Sequence, residues 1–228
     1  MMSRKPTLEH DVFMTQSGEL SISFIGHGSL MFAWNELIVH VDPYGELYDY
    51  SQLPAADLIL ITHEHLDHLD PVAMAMIRKP DTQIVHPRIC SEKVSGGIVM
   101  HNGDTRTVLG VQIEAVPAYN LSHMRPNGKP YHPQGVGNGY VLGFDDFRVY
   151  VAGDTENIPD MQQLEAINCA FLPMNIPYTM TPEMAADAAR MIQPRILYPY
   201  HFGRTDPLLL AELLHDHEGI EVRIRDMA

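Results

Sequence analysis

Between Asp57 and His68 the chain reads Asp57-Leu58-Ile59-Leu60-Ile61 and then Thr62-His63-Glu64-His65-Leu66-Asp67-His68. Four adjacent apolar residues followed by a polar burst describe a buried strand that delivers a loop at its carboxyl end. That loop holds three imidazoles and two carboxylates within six residues, a density that packing does not call for. Imidazole nitrogen and carboxylate oxygen are the donors preferred by a borderline cation such as zinc. His63 and His65, two apart, leave the same side of an extended chain, whereas Asp67 and His68 come from the turn that follows. One short loop therefore serves two neighbouring metal positions.

The remainder of the chain supplies a frame for such a loop. Strands are expected at Leu20 to Ile25, Leu30 to Trp34 and Glu36 to Asp42, before the apolar run. Asp70 as N-cap with Pro71 at the first helical position opens a helix that stops at Lys79-Pro80. Strand-like pieces follow at Gln83 to His86 and Ile98 to His101, then a meander over Thr105 to Leu109 and Val111 to Val116. Ala118 to Gly139 is irregular and rich in Pro and Gly, a length of loop that is usually functional. Beyond it come strands at Tyr140 to Phe144 and Phe147 to Ala152, a helix near Ile158 to Ala166 and a strand at Cys169 to Pro173. A helix from Pro182 shares Met184, Ala188, Met191 and Ile192 on one face and ends before Pro194. Arg195 to Tyr200 is a strand, Asp206-Pro207 starts a last helix ending at Gly219, and Ile220 to Ile224 closes the chain as a strand. Strands and then helices, once in each half, predict two β-layers covered by helices. This is an α/β (α+β) protein, a four-layer αββα sandwich, in one domain over 1–228.

Composition narrows the function. A hydrophobic content of 45% with 19% charged residues excludes a disordered chain. The net charge is −14, and no cluster of Lys and Arg exceeds two residues, so nucleic acid is not expected as a partner. No run of 18 apolar residues and no apolar segment behind Arg4-Lys5 points to a membrane span or a secretory signal. Cys90 and Cys169 form no Cys-x-x-Cys pair, and two free buried thiols suit a cytoplasmic protein. Small-molecule chemistry is the expectation, and a homo-oligomer is compatible with it.

Two further strand ends carry ligand-type residues. Phe147 to Ala152 runs into Gly153-Asp154-Thr155, and Ile196 to Tyr200 runs into His201-Phe202-Gly203. Each alone reads as an ordinary turn or an edge histidine. Beside the histidine loop they read as donors converging on one rim.

In this order THEHLDH (62–68), AGDT (152–155) and YHFG (200–203) resemble the metallo-β-lactamase superfamily. FIGHGSLMF (24–32) and VDP (41–43) resemble its early strands. PAYN (117–120), YHPQG (131–135) and PYTMTPEMAADAA (177–189) are similar to a branch that includes L-ascorbate-6-phosphate lactonase-like and N-acylphosphatidylethanolamine phospholipase D-like proteins. The resemblance implies the metallo-β-lactamase fold and two divalent metal ions, zinc first and manganese second. His63 and His65 would hold the first metal, Asp67, His68 and His201 the second, and Asp154 would bridge them. Cations about 3.5–4 Å apart acidify a shared water, so a metal-bound hydroxide attacks the substrate, with Asp67 as its orienting base.

One position departs from the family pattern. Where a third histidine normally completes the first site, this chain has Asn120. Asn120 itself or His132 is the expected replacement, with His132 favoured over His123. Asp42 is expected to orient a ligand imidazole, and His27 is either near the rim or simply a turn histidine. Arg125, Lys129 and Arg204 are candidate anion contacts, and Tyr178, with Tyr119 and Tyr131, a candidate cleft wall. The function expected is a metal-dependent hydrolase of a small anionic metabolite, a lactone or other carbonyl ester or amide. A phosphodiesterase of phospholipase D type is the alternative, and a non-catalytic metal-binding regulatory protein stands behind both.

Overall fold

The computed structural model describes residues 8–228. Two seven-stranded sheets face each other, and their strand orders mirror one another. The first contains β1 (His10–Met14), β2 (Glu19–Gly26), β3 (Ser29–Trp34), β4 (Leu37–Val41), β5 (Ala56–Leu60), β6 (Arg78–His86) and β7 (Ile98–Val99), in that order. The second contains β8 (Thr105–Val108), β9 (Val111–Ala118), β10 (Gly137–Phe144), β11 (Phe147–Val151), β12 (Cys169–Pro173), β13 (Ile196–Tyr200) and β14 (Glu221–Val222). Each sheet begins with antiparallel pairs and ends with parallel ones: β4 to β7 in the first, β11 to β14 in the second.

The period of two explains how β5 is buried on both faces. Leu58 and Leu60 join the core between the sheets with Phe32, Val41, Leu142 and Val151. Ile59 and Ile61 point the other way, into a second core with Ala73, Met74 and Ile77 of α1 (Pro71–Ile77). On the far sheet, α2 (Pro182–Ile192) buries Ala185, Ala188, Ala189 and Ile192, and α3 (Leu208–Leu213) packs beside it through Leu210. The result is the expected αββα order. No helix among the described residues is long and apolar enough to cross a membrane. Cys90 and Cys169 are free and buried.

Several boundaries differ from the sequence reading, for physical reasons. α1 stops at Ile77 because Arg78 turns extended and pairs with Ala56, consistent with the bias of the Lys79-Pro80 step away from helix. The Thr82 hydroxyl then accepts from the Lys79 amide and donates to the Ala56 carbonyl, closing the bulge at the start of β6. The helix expected near Ile158 to Ala166 is only a 3-10 turn over Pro159–Gln163, burying Met161 alone; too little apolar surface follows to hold a longer one. The last helix ends at Leu213, and the final strand is two residues long. The first strand, β1, was not foreseen; its exposed and half-buried residues alternate on a sheet edge.

That edge strand is fastened to the second sheet. The Asp11 carboxylate accepts hydrogen bonds from the Tyr198 hydroxyl at 2.5 Å, Arg225 at 2.7 Å and Arg223 at 3.2 Å. Burial pushes the Asp11 carboxyl up, but these donors outweigh it and hold it below the usual range. The stabilisation is therefore present above the ordinary aspartate pKa and is lost as pH falls through the lowered one. Asp11→Ala is expected to cost about 1–3 kcal/mol at neutral pH. In denaturant titrations the gap between variant and wild type closes as pH drops below about 4.

Candidate metal centre

Six segments end at one rim. β2 delivers His27, β4 delivers Asp42, β5 delivers Thr62 to His68, β11 delivers Asp154, β12 delivers Asn175 and β13 delivers His201. Parallel strands put their carboxyl ends on the same side, so the two sheets present these residues to each other. The sheets are stitched there by the Asn138 amide donating to the Thr62 carbonyl at 2.8 Å and the Tyr140 hydroxyl donating to the Ile61 carbonyl at 2.9 Å. The histidine loop itself is a turn, with Leu69 N–H donating to the His65 carbonyl. Leu69 is fully buried behind it, and Asp70 caps α1 through the amides of Val72 and Ala73.

The donors fall into two groups. His63, His65, His132 and Asp154 form one, with ligand atoms within 4.8 Å of one another; His27, Asp67, His68 and His201 form the other. Asp154 lies between them. Its Oδ2 faces His132 Nε2 at 3.2 Å and His63 Nε2 at 3.9 Å. Its Oδ1 faces His68 Nε2 at 3.4 Å and His201 Nε2 at 3.5 Å. His65 turns its Nδ1 to His63 Nε2 at 3.0 Å.

Behind four of the imidazoles a second group holds the outward nitrogen. His63 Nδ1 lies 3.0 Å from the Thr62 hydroxyl, and His68 Nδ1 lies 2.8 Å from Asp42. Asp42 also accepts from the Thr62 amide and hydroxyl, at 2.7 and 2.6 Å. His132 Nδ1 lies 2.6 Å from the Asn120 side-chain oxygen, and His201 Nδ1 lies 3.3 Å from the Asn175 amide. The acceptor oxygens behind His63, His68 and His132 take a proton from Nδ1 and turn Nε2 to the interior, whereas the Asn175 amide donates to His201 Nδ1 and orients that ring. The backbone is bent to suit: His27, Asp42 and His201 all have positive φ, near +50°. Gly28 is needed for space, since a Cβ there would meet His68 Cε1 at 2.9 Å.

The fit to cations is visible in what these atoms lack. His68 Nε2, His201 Nε2 and Asp154 Oδ1 are buried without a hydrogen-bond partner. Three such atoms aimed at one another are costly unless a positive charge lies among them. Burial, followed by His68 and the other nearby imidazoles, drives the His63 pKa well down, leaving it neutral and able to donate. Burial opposes ionisation of Asp154, but His201, His68 and His132 outweigh it, and its carboxyl is held well below the usual range. Burial disfavours charge on His68 too, yet Asp154 and Asp42 raise it to about 9. A cation held there by His68 would take the place of that proton.

The asparagine in the family's histidine position does not face the cluster. Asn120 accepts from the His132 amide as well as from its ring, and its own amide donates to Glu156 at 3.1 Å and to the Tyr178 carbonyl at 2.9 Å. His132 stands in the group instead. His123 faces away, its Nδ1 3.1 Å from Glu156. Glu156 has no counterpart in the sequence reading. It is buried and accepts from Asn120, from the amides of Leu121, Ser122 and His123, and from the Ser122 hydroxyl. Its one signal was position, directly after Asp154-Thr155. Asn175, similarly unforeseen, carried no signal at all.

Arg125 reaches the cluster from outside, 3.3 Å from His65 Nε2, while donating to the Tyr131 carbonyl and lying over the Tyr131 ring at 5.2 Å. Tyr131 packs edge-on against Tyr178, which is 44% exposed. Arg204 is exposed and makes no hydrogen bond or ion pair among the described residues. A pocket between Glu64, Tyr131, Pro133 and Val136 opens onto His63, His132 and Asp154.

Comparison with known proteins agrees with this geometry. Residues 21–201 match the family model for the β-lactamase superfamily domain. The chain belongs to the metallo-β-lactamase superfamily, among its metal-dependent hydrolases. It is 32% identical over 187 residues to a UPF0173 metal-dependent hydrolase of Methanoculleus marisnigri, covering 80% of this chain and 81% of that one. It is 50% identical to a Parabacteroides distasonis protein described as a candidate metal-dependent hydrolase, whose crystal structure superposes with a TM-score of 0.93 and covers 97% of this chain and 100% of that one. At 24% identity and a TM-score of 0.76, a metallo hydrolase of Ignicoccus hospitalis shares the fold, covering 91% of this chain and 95% of its own.

If Asn120 holds His132 from behind, Asn120→Ala weakens metal uptake at the first position by roughly 10–100-fold. Competition with a chromophoric chelator measures it.

Proposed function

We propose that this protein hydrolyses a small anionic metabolite, a lactone or other carbonyl ester or amide, at a two-metal centre. The observation that carries this reading is the division of Asp154: one carboxylate oxygen faces each donor group. The first position takes His63, His65 and His132, and the second takes Asp67, His68 and His201, with Asp154 shared. Three imidazoles and a carboxylate suit zinc at the first position, with manganese as the competing metal. Bound divalent cations supply Lewis acidity to the scissile oxygen and acidify a water.

The chain's own residues do the rest. Asp67 is the open carboxylate of the rim, with its side chain 37% exposed, where it can take the proton of the attacking water. Arg125 has no carboxylate partner among the described residues and is braced by Tyr131, so its charge is available to an anionic substrate group. Tyr131 and Tyr178 give that group an aromatic wall. Arg204, shortly after His201 in the chain, is exposed and offers a further positive charge. Two buried unpaired cysteines favour a reducing compartment, which supports a cytoplasmic enzyme.

Elemental analysis is expected to return two equivalents of metal for the wild type and fewer for Asp154→Ala, whose hydrolysis of a lactone and ester panel falls to background. Undiminished turnover by Asp154→Ala would refute the two-metal reading. Arg125→Ala is expected to raise KM for substrates bearing a carboxylate or phosphate by roughly tenfold, with a smaller effect on neutral analogues. A preference for phosphodiesters in the same panel would move the assignment to phospholipase D-type chemistry.

A further inference from the structure

We propose that His27 is itself a ligand of the second metal, making that position richer in donors than the set Asp67, His68, His201 and Asp154. The inference rests on the two-metal reading above and goes beyond it by one residue. His27 belongs to the same group of mutually close donors as Asp67, His68 and His201. Its ring lies against that of His201, with centroids 3.7 Å apart.

The decisive point is which atom of Asp67 it meets. His27 Nε2 lies 3.1 Å from Asp67 Oδ2. That same oxygen faces His201 Nε2 at 3.6 Å and His68 Nε2 at 3.9 Å, so it is the inward oxygen. Residues that merely position a ligand at this rim take the outward atom: Asp42 holds His68 Nδ1 and Asn120 holds His132 Nδ1. His27 does the opposite and shares the interior. Its spacing to Asp67 also matches the 3.0 Å between His63 Nε2 and His65 Nδ1, two co-ligands of the first position.

His27 is moreover held from behind in the way the other imidazoles are. Its Nδ1 lies 3.3 Å from the Ala228 backbone oxygen. That oxygen only accepts, so the tautomer it favours has the proton on Nδ1 and turns Nε2 toward Asp67. In that tautomer Nε2 and Asp67 Oδ2, 3.1 Å apart, are both positioned to face one shared cation. The positive φ of His27 and the hydrogen bond from the His201 amide to the His27 carbonyl, 3.0 Å, fix the ring in that place. With His27 counted, the second position offers three imidazoles and two carboxylates. That exceeds the four donors of an ordinary zinc site and suits a metal that accepts five or six.

The test uses full-length protein loaded with cobalt or zinc and compares wild type, His27→Ala and His27→Gln. Affinity for the second equivalent is expected to fall in His27→Ala by more than the roughly 10–100-fold that loss of an outer partner costs, with the first equivalent unchanged. X-ray absorption at the metal edge is expected to lose imidazole scattering in both variants, and the cobalt spectrum to shift toward lower coordination. Thermal melting of the metal-free variants confirms that they fold. Wild-type affinity for the second equivalent in His27→Ala overturns the proposal. So does His27→Gln with wild-type affinity and unchanged imidazole scattering, which would leave His27 only a hydrogen-bond donor to Asp67. Wild type that binds fewer than two equivalents overturns the two-metal reading itself, and this proposal with it.

Discussion

Buried polar atoms aimed at one another govern this structure. His68 Nε2, His201 Nε2 and Asp154 Oδ1 sit in the protein without hydrogen-bond partners, and apolar packing gives them nothing in return. Everything around them keeps them in this unfavourable arrangement: outward nitrogens are tied to Thr62, Asp42, Asn120 and Asn175, and the backbone is bent at His27, Asp42 and His201. Such strain persists only where the surroundings over-determine it. Here the surroundings are the carboxyl ends of strands in two packed sheets.

Much of this was legible in the sequence because strand ends announce themselves. The apolar run Leu58 to Ile61 and the polar loop after it marked both a buried strand and its cargo. Val149 to Ala152 before Asp154, and Leu197 to Tyr200 before His201, repeat that signal more faintly. The αββα order followed from strands and helices recurring in each half. Asp42 was recognisable too, as an acidic residue closing a strand.

What escaped the reading depends on contacts between segments distant in sequence. Asn120 occupies a position where the family places a ligand, yet its oxygen is turned onto His132, twelve residues later, by a loop with no periodic pattern. Glu156 organises that loop from 33 to 36 residues away by gathering its amides. Helix lengths were overestimated for a related reason. Propensity and capping locate a start, but the amount of sheet surface left to cover decides where a short helix such as α3 stops.

The stitching of the two sheets at the rim has a consequence for how the protein comes into being. His27, His63, His65, Asp67 and His68 leave the first sheet, whereas His132, Asp154 and His201 belong to the second, so each donor group draws on both sheets. During synthesis the histidine loop emerges long before the residues that complete it. Until β13 has docked, the donor set to which that loop belongs is incomplete. The finished geometry alone has the donor count and spacing that can discriminate among ions, which a flexible peptide would accept in order of intrinsic affinity.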